Sequence, residues 1–362
     1  MRTLLKTLTA AAILSAFGLS ADIVQAKEYI LTGVKPNKLV VIDVEEMKIS
    51  KVIEMKDSGT APATIVPTKD GKRAFVMVNK MEAIVEIDLI SGKELSKIQL
   101  SSDDIRVKAL FGMDLSPDGS TLVTIESAVK ILPGEFSPMP TRISFYDTKT
   151  GELKAQQEAP RQITLMAYST DGSKVYGLGR ALHIFDAKTG KKIGEHKTQE
   201  WGRKNFYNPD ILAVWAQWEN SGVLSTPYYV ARSDMDLANP EAYWTGMLTL
   251  DLNTGAFNMK DIENTDIFYF STSISPTDKN IAFGAYNQLS KMNVKTGKAL
   301  KRVELPHSYY SVNLSSDGKK VFIGGAMSDI AFYDTETLKR IGTVKMPGEA
   351  NMSLSSLRVF QR

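Results

Sequence analysis

The chain has 362 residues, 43% hydrophobic and 23% charged, with a formal net charge of +3, three histidines and no cysteine. So small an excess of charge, with no basic run, gives nucleic-acid binding little electrostatic support. The missing cysteine removes disulfides, thiolate metal sites, cysteine nucleophiles and Cys-x-x-Cys-His haem attachment from this chain.

In chain order the first element is a leader. Arg2 and Lys6 precede an apolar stretch from about Leu8 to Leu19, and Val24-Gln25-Ala26 offers small residues for cleavage. These are the three zones of a secretory signal peptide, expected over residues 1–26. The stretch is shorter than the roughly 20 apolar residues of a transmembrane helix, and no later segment reaches that length, so no membrane span is expected. Without a cysteine behind it, a lipid anchor is excluded as well. The mature part, 27–362, is therefore expected to be exported and soluble, in the periplasm of a Gram-negative host. It is long enough for one large domain or two small ones.

From residue 39 onward one phrase recurs seven times: a β-rich run ending in Asp or Asn, then a turn that often reads Thr-Gly. The copies are Leu39–Asp43, Ile84–Asp88, Ile143–Asp147, Leu182–Asp186, Met247–Asp251, Leu289–Asn293 and Ile330–Asp334. Their end points are spaced by 45, 59, 39, 65, 42 and 41 residues. Four of these six spacings lie near the roughly 40 to 45 residues of a four-stranded propeller blade. A second turn precedes most copies, as Asp70-Gly71, Asp118-Gly119, Asp171-Gly172 and Asp317-Gly318, with Asp278-Lys279 a degenerate version. Asp-Gly between β runs is favoured hairpin chemistry, since glycine accepts positive φ without a steric cost.

The pattern predicts an all-β, seven-bladed β-propeller of four-stranded blades. The last complete unit reads as strands over 310–314, 320–324, 329–333 and 339–345. The chain begins mid-unit at Tyr29 and ends on the start of one, Met352-Ser-Leu and Leu357–Phe360, so the two ends are expected to share a blade and close the ring. The two long spacings place insertions on the face that carries the blade-to-blade links. One is Glu126–Thr141. The other comprises Lys197–Pro209 and Tyr229–Trp244, flanking an expected strand from Val214 to Trp218. Elaborated loops on one rim of a rigid ring are where binding is expected.

Chemistry-bearing motifs are sparse. His183 lies within a blade strand, His196 follows one, and no His-x-His or His-Glu-x-x-His spacing supports a metal site. No Gly-x-Ser-x-Gly elbow, phosphate loop or dinucleotide fingerprint occurs. Most carboxylates stand at turns, where they accept hydrogen bonds from nearby amides. The aromatic clusters are the exception. Phe268-Tyr269-Phe270 and Tyr309-Tyr310 open innermost strands of consecutive blades, His307 enters the second of these from the elaborated face, and Trp215, Trp218, Tyr228, Tyr229, Tyr243 and Trp244 crowd the larger insertion. Strand alternation must send some of them into the core. The candidates for a partner-facing surface or pocket wall are Phe268, Tyr269, His307, Tyr309, Tyr310 and Trp215. No catalytic, cofactor-binding or metal-ligating residue is assigned.

Several unit-specific phrases carry a resemblance. Tyr29-Ile-Leu-Thr through Lys38–Asp43, Pro160–Thr164, Lys174–Arg180, Phe268–Thr272, Phe283–Asn287, Leu305–Asn313 and Met352-Ser-Leu make the mature chain resemble the β subunit of quinohemoprotein amine dehydrogenase. The resemblance implies a heterotrimeric periplasmic enzyme that oxidises primary amines to aldehydes and ammonia and passes electrons through haem c to a soluble acceptor. It places two c-type haems on a dihaem cytochrome α subunit and cysteine tryptophylquinone on a small γ subunit. The propeller chain then holds no cofactor, docks the γ subunit and walls the pocket. Two other readings stay open: a stand-alone propeller enzyme such as a lactonase, and a non-catalytic binding propeller of the envelope.

Overall fold

The computed structural model describes residues 26–362 apart from 57, 60, 61, 215, 216, 266, 353 and 354. The expected leader, Ala26 excepted, and Trp215 therefore lie outside the described residues. Seven four-stranded antiparallel blades form a β-propeller, with an extra strand on the third. Three short 3-10 turns are the only helical elements among the described residues, and none is long and apolar enough to cross a membrane.

The blades follow the repeat closely. In the seventh, strands Ser311–Leu314, Lys320–Gly324, Asp329–Asp334 and Arg340–Lys345 run from the axis outward. The recurring Asp ends the third strand and its carboxylate accepts hydrogen bonds from amides two or three residues on, as Asp147 does from Lys149 and Thr150, both at 2.9 Å. That is why Asp recurs there: it replaces the ladder bonds that end at the turn. Apolar residues on both faces of the inner strands fill seven clusters, most of them between neighbouring blades. One of these packs Phe322, Phe332, Ile330 and Val344 against Ile30, Val40 and Val359.

The first blade joins the chain ends. Its innermost strand is Arg358–Gln361 and its outer three are Glu28–Val34, Lys38–Asp43 and Lys48–Glu54. Tyr29 pairs with Phe360 in register and their rings stack at 5.5 Å. Gly71, at φ 64, lets the neighbouring hairpin lie on the Gln361 carbonyl and the Phe360 ring, where a Cβ would collide.

Both insertions differ from the loops expected. In the third blade, strands Ile105–Leu115 and Thr121–Leu132 run past the blade and pair along their extensions, and Glu135–Pro138 adds a third strand. The insertion is thus a β tongue that exposes Ile131 and Phe136. Its first residue, Glu126, belongs to the core: fully buried, it accepts from Thr124, Tyr146 and Arg142 at 2.9, 2.6 and 2.8 Å.

In the fifth blade the innermost strand is Asp210–Ile211, not 214–218. The segment after it leaves the blade as a strap, because its polar side chains find partners across the channel. Glu219 pairs with Arg358 and accepts from Asn313 at 3.1 Å, and Asn220 donates to Glu28 and to the Leu314 carbonyl at 2.8 and 2.9 Å. Trp218 lies under the Arg358 guanidinium, 4.9 Å from it.

Closure through the shared blade makes Phe360 a sensitive position. Phe360→Ala, which empties a buried site facing Tyr29, is expected to cost about 3 to 5 kcal/mol of unfolding free energy. Chemical denaturation monitored by far-UV circular dichroism measures it, and a loss within about 0.5 kcal/mol would show that the ends do not seal the ring.

Candidate functional site

The inner edge of each innermost strand faces the channel and has no further strand to pair with. Side chains of a neighbouring blade satisfy part of it at six of the seven junctions, and a pair of hydroxyls bridges the other. Ser356 accepts from the Ile65 amide at 3.1 Å, Thr64 donates to the Phe111 carbonyl at 2.8 Å, and Asp114 accepts from the Tyr168 amide at 2.7 Å. Thr164 donates to the Ala213 carbonyl at 2.6 Å, and Thr272 to the Ser225 hydroxyl at 3.0 Å. Ser271 accepts from the Val312 amide at 3.0 Å, and Asn313 donates to the Leu357 carbonyl at 3.1 Å, completing the circle. Ser271 and Thr272 on an inner strand, and Thr64, Thr164 and Ser356 beside such strands, are therefore structural ties, whereas the buried Ser311 hydroxyl has no hydrogen-bond partner among the described residues.

On the face where the inner strands begin, five aromatic rings form a continuous basin over blades five to seven. Tyr229 stacks on Phe268 with centroids 4.9 Å apart, Phe268 meets Tyr286 edge-on at 5.1 Å, and Phe270 stacks on Tyr310 at 4.2 Å. Phe270 and Tyr286 close the set at 5.4 Å. The rings are held from behind. The Tyr229 hydroxyl accepts from the Tyr269 amide at 2.8 Å and donates to the Tyr269 carbonyl, and Gln288 donates to the Phe268 carbonyl at 2.8 Å. Burial pushes the Tyr229 phenol above its ordinary pKa. Phe268 remains about a third exposed, at 36%.

Strand alternation divides the sequence candidates. Phe268 and Tyr310 join the basin. Tyr269 and Tyr309 do not face a partner: both are buried between blades, where a phenol needs a hydrogen-bonding partner. The Tyr269 hydroxyl donates to Ser290 at 3.0 Å and meets Arg302 at 3.1 Å. The Tyr309 hydroxyl donates to Asp329 at 2.8 Å, and burial raises its pKa.

His307 clamps the same carboxylate. Its Nε2 lies 2.8 Å from Asp329 Oδ1, its Nδ1 lies 3.0 Å from the Ser308 carbonyl, and its ring is 4.2 Å from that of Tyr309. With both nitrogens engaged and the side chain about 30% exposed, it braces the rim. His183 is buried beside Glu195 and its pKa is lowered by that burial, while His196 stacks on Phe257. No group of three His, Cys, Asp or Glu residues fit for a metal occurs among the described residues.

Sequence reasoning missed two things. Tyr286 ends the second strand of blade six and completes the basin, a position that alternation from Phe270 across the hairpin could have found. The strap was invisible, because Gln217–Asn220 looks like any polar loop until its partners on blades seven and one are placed.

At the opposite mouth, the strap's Glu219 and Trp218 meet Arg358 beside Asp114. Burial raises the Asp114 carboxyl to about 6, against an ordinary 3.8, even though Arg358 favours its ionised form.

No family model matches the chain, and no curated protein matches it. Among solved structures, hydrazine synthase from Kuenenia stuttgartiensis superposes with a TM-score of 0.57 at 12% identity, over 86% of this chain and 90% of that one. That likeness bears on the fold. With 1461 solved chains matching, the fold by itself selects no function.

Two outcomes follow from the geometry. Tyr309→Phe leaves Asp329 with one bond fewer and is expected to cost about 1 to 2 kcal/mol of stability, measured by denaturant titration, without changing any surface property. A carboxyl whose folded pKa lies above its unfolded one contributes stability below the unfolded value and loses it as pH rises through the folded value. Asp114 therefore makes the fold less stable between about pH 4 and pH 6, by roughly 3 kcal/mol in all. Thermal unfolding of the wild type against Asp114→Asn across that window should show the difference shrinking toward acid; parallel curves would place the titration elsewhere.

Proposed function

We propose that this chain is the cofactor-free propeller subunit of a periplasmic quinohemoprotein amine dehydrogenase, which holds the small quinone-bearing γ subunit against its elaborated face and walls the amine pocket. One observation carries the reading. Three phrases that resemble that family's, 268–272, 283–287 and 305–313, follow one another along blades six and seven and supply Phe268, Phe270, Tyr286 and Tyr310 to one aromatic basin. The repeat places these strands side by side but does not require an aromatic ring at each of the four positions. Half-buried tyrosine and phenylalanine held by backbone hydrogen bonds give rigid contact area at little entropic cost, which suits an interface core.

The residues of this chain act by position. With no cysteine, it can neither attach haem through Cys-x-x-Cys-His nor form a Trp–Cys quinone, so both groups belong to the dihaem α subunit and the γ subunit in this reading. When bound, the quinone supplies the electron sink for amine oxidation. The basin excludes water from one wall of the pocket, and the β tongue, on the same face, extends the contact. A stand-alone enzyme such as a lactonase fits less well, because Ser271, Thr272 and Asn313 of the inner strands are consumed in ties between blades.

Expressed alone, the chain is expected to fold as a β-rich monomer with no visible chromophore and no amine-oxidising activity. Co-expressed with a dihaem cytochrome and a small cysteine-rich protein from its own gene neighbourhood, it should co-elute with haem absorbance on size exclusion. Amine oxidation by the isolated chain, or failure to co-elute, would overturn the reading.

Tyr310→Ala should loosen the complex or raise KM for the amine about tenfold with kcat nearly unchanged, since a pocket wall contributes to binding more than to the chemical step. Replacing 130–137 by an Asn-Gly turn removes the tip of the tongue and spares Glu126. It should leave the melting curve of the isolated chain nearly unchanged while weakening co-elution, and unaltered assembly with unaltered turnover would show the tongue to be idle.

A further inference from the structure

The link between blades six and seven, residues 305–310, is held from both sides. On the blade-six side the Leu305 amide donates to the Asn287 carbonyl and the Tyr309 amide to the Tyr286 carbonyl, both at 2.9 Å, and the Ser308 hydroxyl donates to the Asn287 side chain at 2.7 Å. On the blade-seven side the Tyr310 amide donates to the Gly324 carbonyl at 2.9 Å, and His307 reaches Asp329. Two rings of the basin, Tyr286 and Tyr310, are thus joined through this one short segment, their centroids 6.0 Å apart.

The proton count at His307 follows from its neighbours. Nδ1 faces the Ser308 carbonyl at 3.0 Å, an oxygen that only accepts. Nε2 faces Oδ1 of Asp329 at 2.8 Å, while Oδ2 of that carboxylate accepts from the Tyr309 hydroxyl at 2.8 Å and lies 3.6 Å from Nη2 of Arg340. A neutral imidazole has one donor, so in either tautomer one of its nitrogen lone pairs would point at an oxygen lone pair. Only the imidazolium, with both N–H groups donating, fills both contacts.

We propose that His307 is a proton-operated latch: its imidazolium fastens the link 305–310 to the Asp329 carboxylate and fixes Tyr310 and Tyr286 in the basin, and loss of the proton loosens the link while the propeller stays folded. The ring is about 30% exposed, so its proton exchanges with solvent. The ionisable groups around it come from three elements. Asp329 and Tyr333 stand on the third strand of blade seven, Arg340 and Lys345 on the fourth, and Tyr309 on the link itself. Burial raises both phenols above their ordinary pKa, so they stay neutral, and the exposed Lys345 stays charged beside Glu349 at 2.9 Å. Arg340 remains a cation near Asp329 after the imidazole is neutral, which keeps the carboxylate from being stranded and the loosening local. The sign follows: the latch holds while the ring is protonated and lets go as pH rises. Fixed rings receive a partner at lower entropic cost, so docking on the basin is favoured toward acid.

The isolated mature chain tests this, because the latch needs no partner and stands whether or not the chain assembles with a dehydrogenase. Hydrogen exchange of the peptide 306–314, read by mass spectrometry and corrected for the intrinsic pH dependence of exchange, should show protection falling about tenfold between about pH 5.5 and about pH 8.5, the worth of one charge-assisted bond. His307→Gln should give the low protection at both pH values, and His196→Gln should keep the wild-type response. Ring 15N shifts of the wild type, assigned with His183→Gln and His196→Gln, should pass from two N–H nitrogens to one across the same fall, which keeps the test decisive should His307→Gln not fold. Protection independent of pH, a pH response retained in His307→Gln, or a neutral ring throughout with undiminished protection would each overturn the assignment.

Discussion

The inner edges of the blades govern the rest of this structure. A four-stranded blade satisfies its backbone everywhere except along its two edge strands. The outer edge can turn to water, whereas the inner edge is crowded against six others. Here the short side chains of the neighbouring blade meet part of that need, with Ser, Thr, Asn or Asp at six of the seven junctions. Side chains spent in this way cannot also do chemistry. What remains for function are groups above and below the ties: the aromatic rings at one mouth and the buried charges at the other.

These two mouths differ in physical character. The upper basin is built from stacked and edge-on rings, with the Tyr229 hydroxyl bonded to the Tyr269 backbone behind them, so it presents flat aromatic area and little charge. The lower mouth is built around Arg358, a residue of the closing strand, and its character is electrostatic. The strap's Trp218 and Glu219 stand beside Arg358 and belong to the lower mouth. Each mouth must be understood by its own residues.

Much of this was legible in the sequence. The Asp-ending phrase and the Asp-Gly turns fixed the blade number and the strand order because each has a local backbone cause, and local causes repeat. The shared blade was legible from the unfinished units at Tyr29 and Leu357. The aromatic face was found only in part. Sequence placed Tyr269 and Tyr309 beside Phe268 and Tyr310, but which side of a strand faces the axis depends on register, and one residue of alternation separates a core phenol from an exposed ring. The insertions were harder still. Glu126 reads as the start of a loop until Tyr146 and Arg142 are folded onto it, and Asn220 has no meaning without Glu28, far away in sequence.

The strap also changes the ring mechanically. A closed circle of seven similar blades linked only to neighbours is equally stiff all round. A chord from blade five to blades seven and one cross-braces that arc. The aromatic basin stands on the braced arc. A partner seated on it would therefore meet a fixed anvil.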